Sequence, residues 1–565
     1  MQPVISAKQA REVDQRTTSD YQIPSLRLMQ SAAAACFSAI SDHFDGQLAG
    51  KRAQLLCGPG NNGGDGAALA ALLSEAGARC DVILFGRVED THGDARTNFD
   101  LLRNKIAEPR ESGLSEATLN LIECTTEAAW QDLSSSSTAY DVIVDALFGT
   151  GLSRPLAGIF AIVLEHVNTI RRARDNASAT SQPVIVSIDL PSGLNADSAV
   201  PIGPAVHADL TITFTAAKPA NVLPPAAHLN GKLIIAEIGS PASLVNEAKP
   251  NLFTTEETDA REWLIKTRYT PPSFKNTHGH VLVIAGSRGF TGAAVLCGNA
   301  AMRSGAGLVT IATPASSQNS IAAGAMPEVM TTALAETDRG AVSDEAIEHV
   351  TQLGANATVI AIGPGLSATD ERTRRFVYTI VKQRKTALVI DADGLNCLAA
   401  SSENGWPAEL AGSETAPLIL TPHPGEMLRL LGTTNKAALD DRVSAARDFA
   451  TKHKLILVLK GERALVAAPD GRVVINPTGN AGLGTAGAGD TLTGIIAGFV
   501  AQDRATLKND ADAFTATVAA LYVGGLAGNF AARDLGMRTM VASDIREHVS
   551  EAVRALDPKG EHPNL

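Results

Sequence analysis

The stretch Cys57-Gly58-Pro59-Gly60-Asn61-Asn62-Gly63-Gly64-Asp65-Gly66 joins an apolar run, Arg52–Cys57, to an alanine-rich segment at 67–76. The run reads as a strand and the segment as a helix. Glycine lets the backbone reach positive φ and lets a ligand come close. A tight strand-to-helix turn needs one or two glycines. Five in nine residues, around an Asn-Asn pair and an aspartate, exceed that need. A ligand site is therefore expected at the carboxyl end of a parallel strand, with a helix N-terminus behind it.

The same rhythm runs outward from this loop. Ser6 with Gln9 reads as a capping box that opens a first helix. A second helix follows Pro24-Ser25 and runs to Ile40, and strands are expected at 79–85, 141–147, 184–190 and Leu210–Phe214. Continuous Val/Ile/Leu runs separated by helices imply a parallel sheet covered on both faces. Between 239 and 277 the rhythm lapses amid Pro241, Pro250, Pro271 and Pro272, and the domain boundary is placed there. It restarts with strands expected at 281–285, 308–312, Val359–Ile362, Ala387–Ile390, 418–421 and 455–459. A hairpin (464–468, a turn at Asp470-Gly471, then Val473–Ile475) leads to a second glycine-rich loop and a mostly helical end. A chain of 565 residues is too long for one core. Two α/β domains result, 1–242 and 275–558, with a linker region at 243–274.

Two further strand ends in the first half carry chemistry. Asp145 ends one strand and is followed by Gly149-Thr150-Gly151-Leu152-Ser153-Arg154-Pro155. Asp189 ends the next, before Pro191-Ser192-Gly193. A carboxylate at a strand end often caps the following helix, but two beside a glycine loop can share a cation or handle a proton. The hard oxygens of Asn62, Asp145 and Ser192 suit an alkali or alkaline-earth ion rather than zinc. Lys218 could reach the same rim, although a lone lysine is more often solvated.

In the second half, Gly487-Ala488-Gly489-Asp490 opens a helix. The amides of Gly487, Ala488 and Gly489 form an anion hole for a phosphoryl group. Asp490 at the edge can accept the proton of an attacking hydroxyl, which suffices for phosphoryl transfer when magnesium is present. The bland reading is an N-capping aspartate after a flexible loop. Its companions are Gly363-Pro364-Gly365, Asp391-Ala392-Asp393, His423 between two prolines, and Lys460-Gly461-Glu462-Arg463, all at carboxyl ends of expected parallel strands. His423 could equally be a rigid surface turn, and His278 and His280 read as solvated.

Composition excludes several classes. With 48 Lys+Arg against 60 Asp+Glu, the net charge is −12, and without a basic stripe no nucleic-acid partner is expected. Six scattered cysteines with no Cys-x-x-Cys pair argue against a disulfide scaffold or structural zinc. The start Met1-Gln2-Pro3-Val4-Ile5-Ser6 lacks the basic and apolar regions of a secretory signal. No run resembles the ~18 apolar residues of a membrane span. A soluble, cytoplasmic protein without a membrane partner is expected.

Pro24-Ser25-Leu26 with Leu28-Met29, then GPGNNGGDG, DALFGTG and IDLPSG, resemble the NAD(P)H-hydrate epimerase family (YjeF N-terminal type) over about residues 1–240. The resemblance implies a Rossmann-like three-layer αβα domain. It would assign substrate binding to Asn61, Asn62, Gly63, Gly64, Asp65, the run Gly149 to Pro155, and Asp189, and a potassium ion to Asn62, Asp145 and Ser192. Asp189 is then the candidate acid/base, with Lys218 second.

HGHVLVIAGS, FTGA, RSGAGLVT, IGPGL, DADGLN, LTPHPGE, VLKG and GAGDTLTGIIAG, in that order, resemble the ADP/ATP-dependent NAD(P)H-hydrate dehydratases (YjeF C-terminal type) of the ribokinase-like superfamily. That family would place hydrate contacts at Ala293, Gly365, His423 and Asp490. It would place nucleotide contacts at Lys460, Gly461, Glu462, Arg463, Ala464 and Gly489. Taken together, the resemblances imply a bifunctional repair enzyme. One domain interconverts the R and S hydrates of NADH or NADPH (NADHX, NADPHX), and the other dehydrates the S form with ADP or ATP and magnesium. Homo-oligomers are expected from family habit. The competing readings are a ribokinase-like vitamin or sugar kinase fused to a ligand-binding domain, and a first domain that only scaffolds the second.

Overall fold

In the computed structural model, which describes residues 1–107, 119–135, 139–176, 183–400 and 405–558, the chain forms two units. One is Pro3–Pro250; the other is Asn251 onward with Met1–Gln2.

The first unit is built on a seven-stranded sheet. Its strands run in the order Leu119–Glu123, Arg79–Leu84, Arg52–Cys57, Val142–Ala146, Val184–Ile188, Leu210–Phe214 and Lys232–Ala236. Every pairing is parallel. The chain winds outward in one direction from Arg52–Cys57 and then in the other from Val142–Ala146. The crevice between the carboxyl ends of those two strands is the switch point where such sheets bind ligands. Val82, Val144 and Ile212 pack one face, under the helices Ser25–His43 and Asn61–Glu75, while Ile143, Ile185 and Trp130 pack the other.

The second unit has the strand order Leu252–Thr254, Val473–Ile475, Leu465–Ala467, Ile456–Leu459, Leu418–Leu420, Ala387–Ile390, Val359–Ile362, His280–Ile284, Leu308–Pro314 and Met330–Leu334. From Ile456–Leu459 to Met330–Leu334 the pairing is parallel, and the hairpin strands pair antiparallel. The switch point lies between His280–Ile284 and Val359–Ile362. The helices Thr291–Arg303, Ala488–Leu507 and Ala513–Leu535 cover one face around Ile496, Phe499 and Val523. Ala513–Leu535 has mean hydropathy 1.3 and is long and apolar enough to cross a bilayer, which the sequence reading did not anticipate; 72% of its most apolar window is buried within the unit.

The stretch 243–274 is structured. The helix Ala242–Glu247 sets Leu244 and Val245 against Ile5 and Val13 of the first unit. Leu252–Thr254 pairs with Val473–Ile475, and the helix Glu257–Lys266 stacks Trp263 on Phe499 with ring centroids 4.4 Å apart. The chain therefore passes between units at Pro250. All six cysteines are free and buried.

Candidate active sites

In the first unit the glycine-rich stretch is more helical than expected. The helix begins at Asn61, with Gly60 as its cap, rather than at 67. Several of the glycines answer to packing. A Cβ at Gly58 would stand 2.0 Å from the Leu147 carbonyl oxygen, one at Gly63 1.8 Å from that of Gly58, and one at Gly66 2.7 Å from the Ala146 Cβ. Helix and strand ends thus approach backbone to backbone. Gly60 meets nothing within 4 Å. Asn61 is exposed and Asn62 half-buried, whereas Gly63, Gly64 and Asp65 are buried. What the turn offers a ligand is therefore the open helix start and the two asparagines.

Asp145 and Asp189 flank this start. Asp145 is fully buried. Its carboxylate accepts hydrogen bonds from the Ser192 amide (2.8 Å) and hydroxyl (2.5 Å), the Ser187 hydroxyl (2.8 Å) and the Leu147 amide (3.3 Å). Burial raises its pKa, against the lowering effect of the bonds from Ser192 and Ser187. The Ser192 hydroxyl also lies 3.2 Å from the Phe148 carbonyl oxygen. The Asn62 amide nitrogen is buried without a partner, and an amide turned end for end would set its oxygen there.

Asp189 sits at φ +65°, in the left-handed region that costs a non-glycine residue energy. Its Oδ1 accepts from Lys218 Nζ at 2.7 Å and from the Thr213 hydroxyl at 3.0 Å; its Oδ2 accepts from the Thr150 amide at 3.2 Å. Lys218 is not solvated: it is 2% exposed, and its ammonium also reaches Thr213 and the Phe214 carbonyl. A Cβ at Gly149 would lie 2.9 Å from Asp189 Oδ2 and 3.1 Å from Asn62 Oδ1, so these three residues converge. The rest of the run, Gly151 to Pro155, is largely exposed beside them.

The sequence reading missed Asp14. It lies on the helix Ala7–Tyr21, and burial pushes its pKa up to about 6, with Lys218 opposing and Asp189 adding. Burial likewise holds Asp65 well above the carboxylate range, helped by Asp189, Asp14 and Asp94.

In the second unit Gly487, at φ +83°, caps the helix Ala488–Leu507. Of the three amides expected to line an anion hole, that of Ala488 already donates to the Thr485 carbonyl at 3.3 Å. Asp490 is half-buried, and its pKa is pushed up to about 6 by burial and by Asp391, with Lys460 opposing. Lys460 Nζ lies 3.3 Å from the place of a Cβ on Gly489. Burial alone would lower the affinity of Lys460 for its proton, but Asp391 and Glu426 raise it. Gly461 and Glu462 are exposed and Arg463 and Ala464 half-buried alongside.

A Cβ on Gly365 would press 2.7 Å from the Phe290 carbonyl and 3.0 Å from the Ala293 Cβ, which places Gly365 and Ala293 together at the switch point. His423 is a helix cap with a half-exposed ring. Its Nδ1 accepts from the amides of Gly425 (3.0 Å) and Glu426 (3.4 Å), which leaves Nε2 to carry the proton. Two other histidines differ from expectation. His278 is buried and stacked on Tyr269 at 3.6 Å, and the half-buried His280 bonds the Thr310 hydroxyl at 2.8 Å.

Residues 25–220 match the family of YjeF-related protein N-termini, and residues 281–551 match that of NAD(P)H-hydrate dehydratases. The bifunctional NAD(P)H-hydrate repair enzyme Nnr of Moorella thermoacetica is 38% identical over 562 residues, 99% of this chain and 98% of that one. Its namesake in Escherichia coli K12 is 31% identical, covering 92% of this chain and 87% of that one. A crystal structure of the ADP/ATP-dependent NAD(P)H-hydrate dehydratase from Bacillus subtilis with ATP/Mg2+ covers 54% of this chain and 99% of its own, at 28% identity and TM-score 0.45. Likeness to the curated relatives along the whole chain shows that this protein belongs to the family of bifunctional NAD(P)H-hydrate repair enzymes.

Proposed function

We propose that the first unit interconverts the R and S hydrates of NADH and NADPH, and that the second dehydrates the S form at the expense of ADP, releasing AMP and phosphate, or of ATP. The observation that carries the reading is the convergence of a base, a helix start and a cation at Asp490, Gly489 and Lys460.

Asp490 takes the proton of the C6 hydroxyl, whose oxygen bonds to the terminal phosphorus of the nucleotide as the bridging P–O bond breaks. The free amides of the helix start and the Lys460 ammonium hold the charge that develops on the phosphoryl oxygens. The C6–O bond then breaks and phosphate leaves; the C5 proton is lost, and the ring regains its C5=C6 double bond. Magnesium, carried on the nucleotide's own phosphate oxygens, would neutralise part of their charge. The oxygen-rich side chains around Asp490 suit such a hard cation. Ala293, Gly365 and His423 line the hydrate's side, and Lys460 to Ala464 with Gly489 the nucleotide's.

In the first unit the oxygens of Asn62, Asp145 and Ser192 suit potassium, which would supply a fixed positive charge beside the pyrophosphate-bearing substrate. Asn61 to Asp65 and Gly149 to Pro155 bind the substrate. Asp189, held by Lys218 and Thr213, is the acid/base that serves the change of configuration at C6. Six free, buried thiols suit a reducing cytoplasm, and a homo-oligomer is the expected state.

Paired variants of the full chain test this division. Asp490→Asn should abolish nucleotide-dependent return of reduced-nicotinamide absorbance while leaving epimerisation intact, and Asp189→Ala the reverse. Near-normal dehydration in the first variant, or full-rate epimerisation in the second, removes that residue from its role. Free phosphate as product, in place of a stable phosphorylated compound, separates a dehydratase from a kinase.

A further inference from the structure

Beneath the turn that opens the helix Ala488–Leu507 lies a carboxylate with no place among the substrate contacts. Asp391 ends the strand Ala387–Ile390 and is 1% exposed, so it reaches neither hydrate nor nucleotide. Both of its oxygens are engaged: Oδ1 accepts from Lys460 Nζ at 2.7 Å, and Oδ2 from the Thr493 hydroxyl at 2.7 Å. Thr493 lies one turn along the helix from Gly489, and its hydroxyl also stands 3.1 Å from the Gly489 carbonyl oxygen. One carboxylate thus ties together a central strand end, the strand end that carries Lys460, and the first turn of the Asp490 helix. The backbone holds it firmly, since the Asp391 carbonyl receives the Gly394 amide at 2.9 Å and Ala392 sits at φ 49°.

We infer that Asp391 is a positioning residue of the dehydratase, which with Thr493 fixes the Lys460 ammonium over the phosphoryl pocket and sets the charge balance around Asp490. The inference rests on reading the second unit as a nucleotide-dependent dehydratase. A lysine ends in a point charge on a flexible four-carbon stem, so its bonds decide where that charge stands. Glu426 also lies near Lys460, at 3.9 Å, and it is already occupied as the partner of the His423 amide. Without Asp391 the ammonium swings toward Glu426 and away from Gly489. The charged groups facing Asp490 are Asp391 and Asp393 after the strand Ala387–Ile390, Glu426 on the helix Pro424–Leu430, and Lys460.

The test uses the full chain, with nucleotide KM, kcat and the pH profile of dehydration as readouts and amide hydrogen exchange of the second unit's strands as the control of folding. Asp391→Asn keeps the shape and removes the charge. It should raise the nucleotide KM about tenfold to a hundredfold, the range for a lost charge-assisted bond. Because Asp490 acts when ionised and Asp391 favours its protonated form, the acid limb should also move to lower pH. Lys460→Met should move that limb to higher pH, since the cation opposes protonation. The double variant should raise KM no further than Lys460→Met alone, because both remove one coupled contact.

Folded Asp391→Asn with a nucleotide KM within twofold of wild type and an unmoved limb overturns the inference. Where Asp391→Asn does not fold, Thr493→Val supplies the decision: a severalfold rise in nucleotide KM supports the anchor, and an unchanged KM overturns it. A wild-type chain without nucleotide-dependent dehydration would instead sink the functional reading itself.

Discussion

Lys218→Met removes the cation from the most enclosed ion pair among the described residues of the first unit. The ammonium side chain is 3% exposed and the Asp189 side chain 10%, at 2.7 Å. Asp189 would keep only the Thr213 hydroxyl at 3.0 Å and the Thr150 amide at 3.2 Å. Removing one partner of a buried pair leaves an uncompensated charge and costs about 3–5 kcal/mol. Amide hydrogen exchange followed by mass spectrometry reads the loss locally, on peptides spanning Val184–Ile188 and Leu210–Phe214, with Ala387–Ile390 of the second unit as reference. At about 1.4 kcal/mol per factor of ten, exchange in the two first-unit strands should quicken by roughly two to three and a half orders of magnitude. Adding Asp189→Asn should restore most of the protection, because a neutral amide needs no counter-ion, while epimerisation stays lost in both variants. Protection within about 1 kcal/mol of wild type in Lys218→Met alone would refute the reasoning.

Dehydration should fall as pH drops through about 6, where Asp490 takes up a proton and ceases to act as a base, and a pH profile of kcat/KM checks this. Gly63→Ala sets a Cβ 1.8 Å from the Gly58 carbonyl oxygen and should destabilise the first unit by ~1–3 kcal/mol, whereas Gly60→Ala, which meets nothing within 4 Å, should stay within about 0.5 kcal/mol, both read by denaturant unfolding. Asp503 is buried, with Oδ1 facing the Trp263 indole N–H at 3.3 Å, and burial raises its pKa from 3.8 to about 6. Its folded form holds the proton more tightly than the unfolded chain does, so this group's contribution to stability is full below about pH 4 and is lost as pH rises to about 6. Asp503→Asn should remove that dependence and raise stability at pH 7.5 by at most about 3 kcal/mol, measured by unfolding at pH 5 and pH 7.5.

The central strands were legible because a parallel sheet buried on both faces leaves an unbroken apolar run, as in Val359–Ile362 and Val281 to Ile284. Edge strands were not. Leu119–Glu123 and Met330–Leu334 lie at sheet edges, where Asn120 and Thr331-Thr332 interrupt the apolar pattern. The excess of glycine in the first loop answers to close packing at Gly58, Gly63 and Gly66, and packing of that kind leaves no separate mark in a sequence. Thr493 was hidden because its role depends on a partner 102 residues away, and Lys218, named only as a second candidate, owes its buried place to Asp189, 29 residues away. His278 misled because a histidine beside glycine looks exposed until Tyr269 is seen to cover it.

The most direct test mixes the full-length protein with both epimers of NADHX and either ADP or ATP, and follows the return of reduced-nicotinamide absorbance. Conversion of both epimers to NADH, dependent on the nucleotide and matched by released phosphate, is the predicted result. Recovery that stops at the S fraction, or none with either nucleotide, would contradict the account.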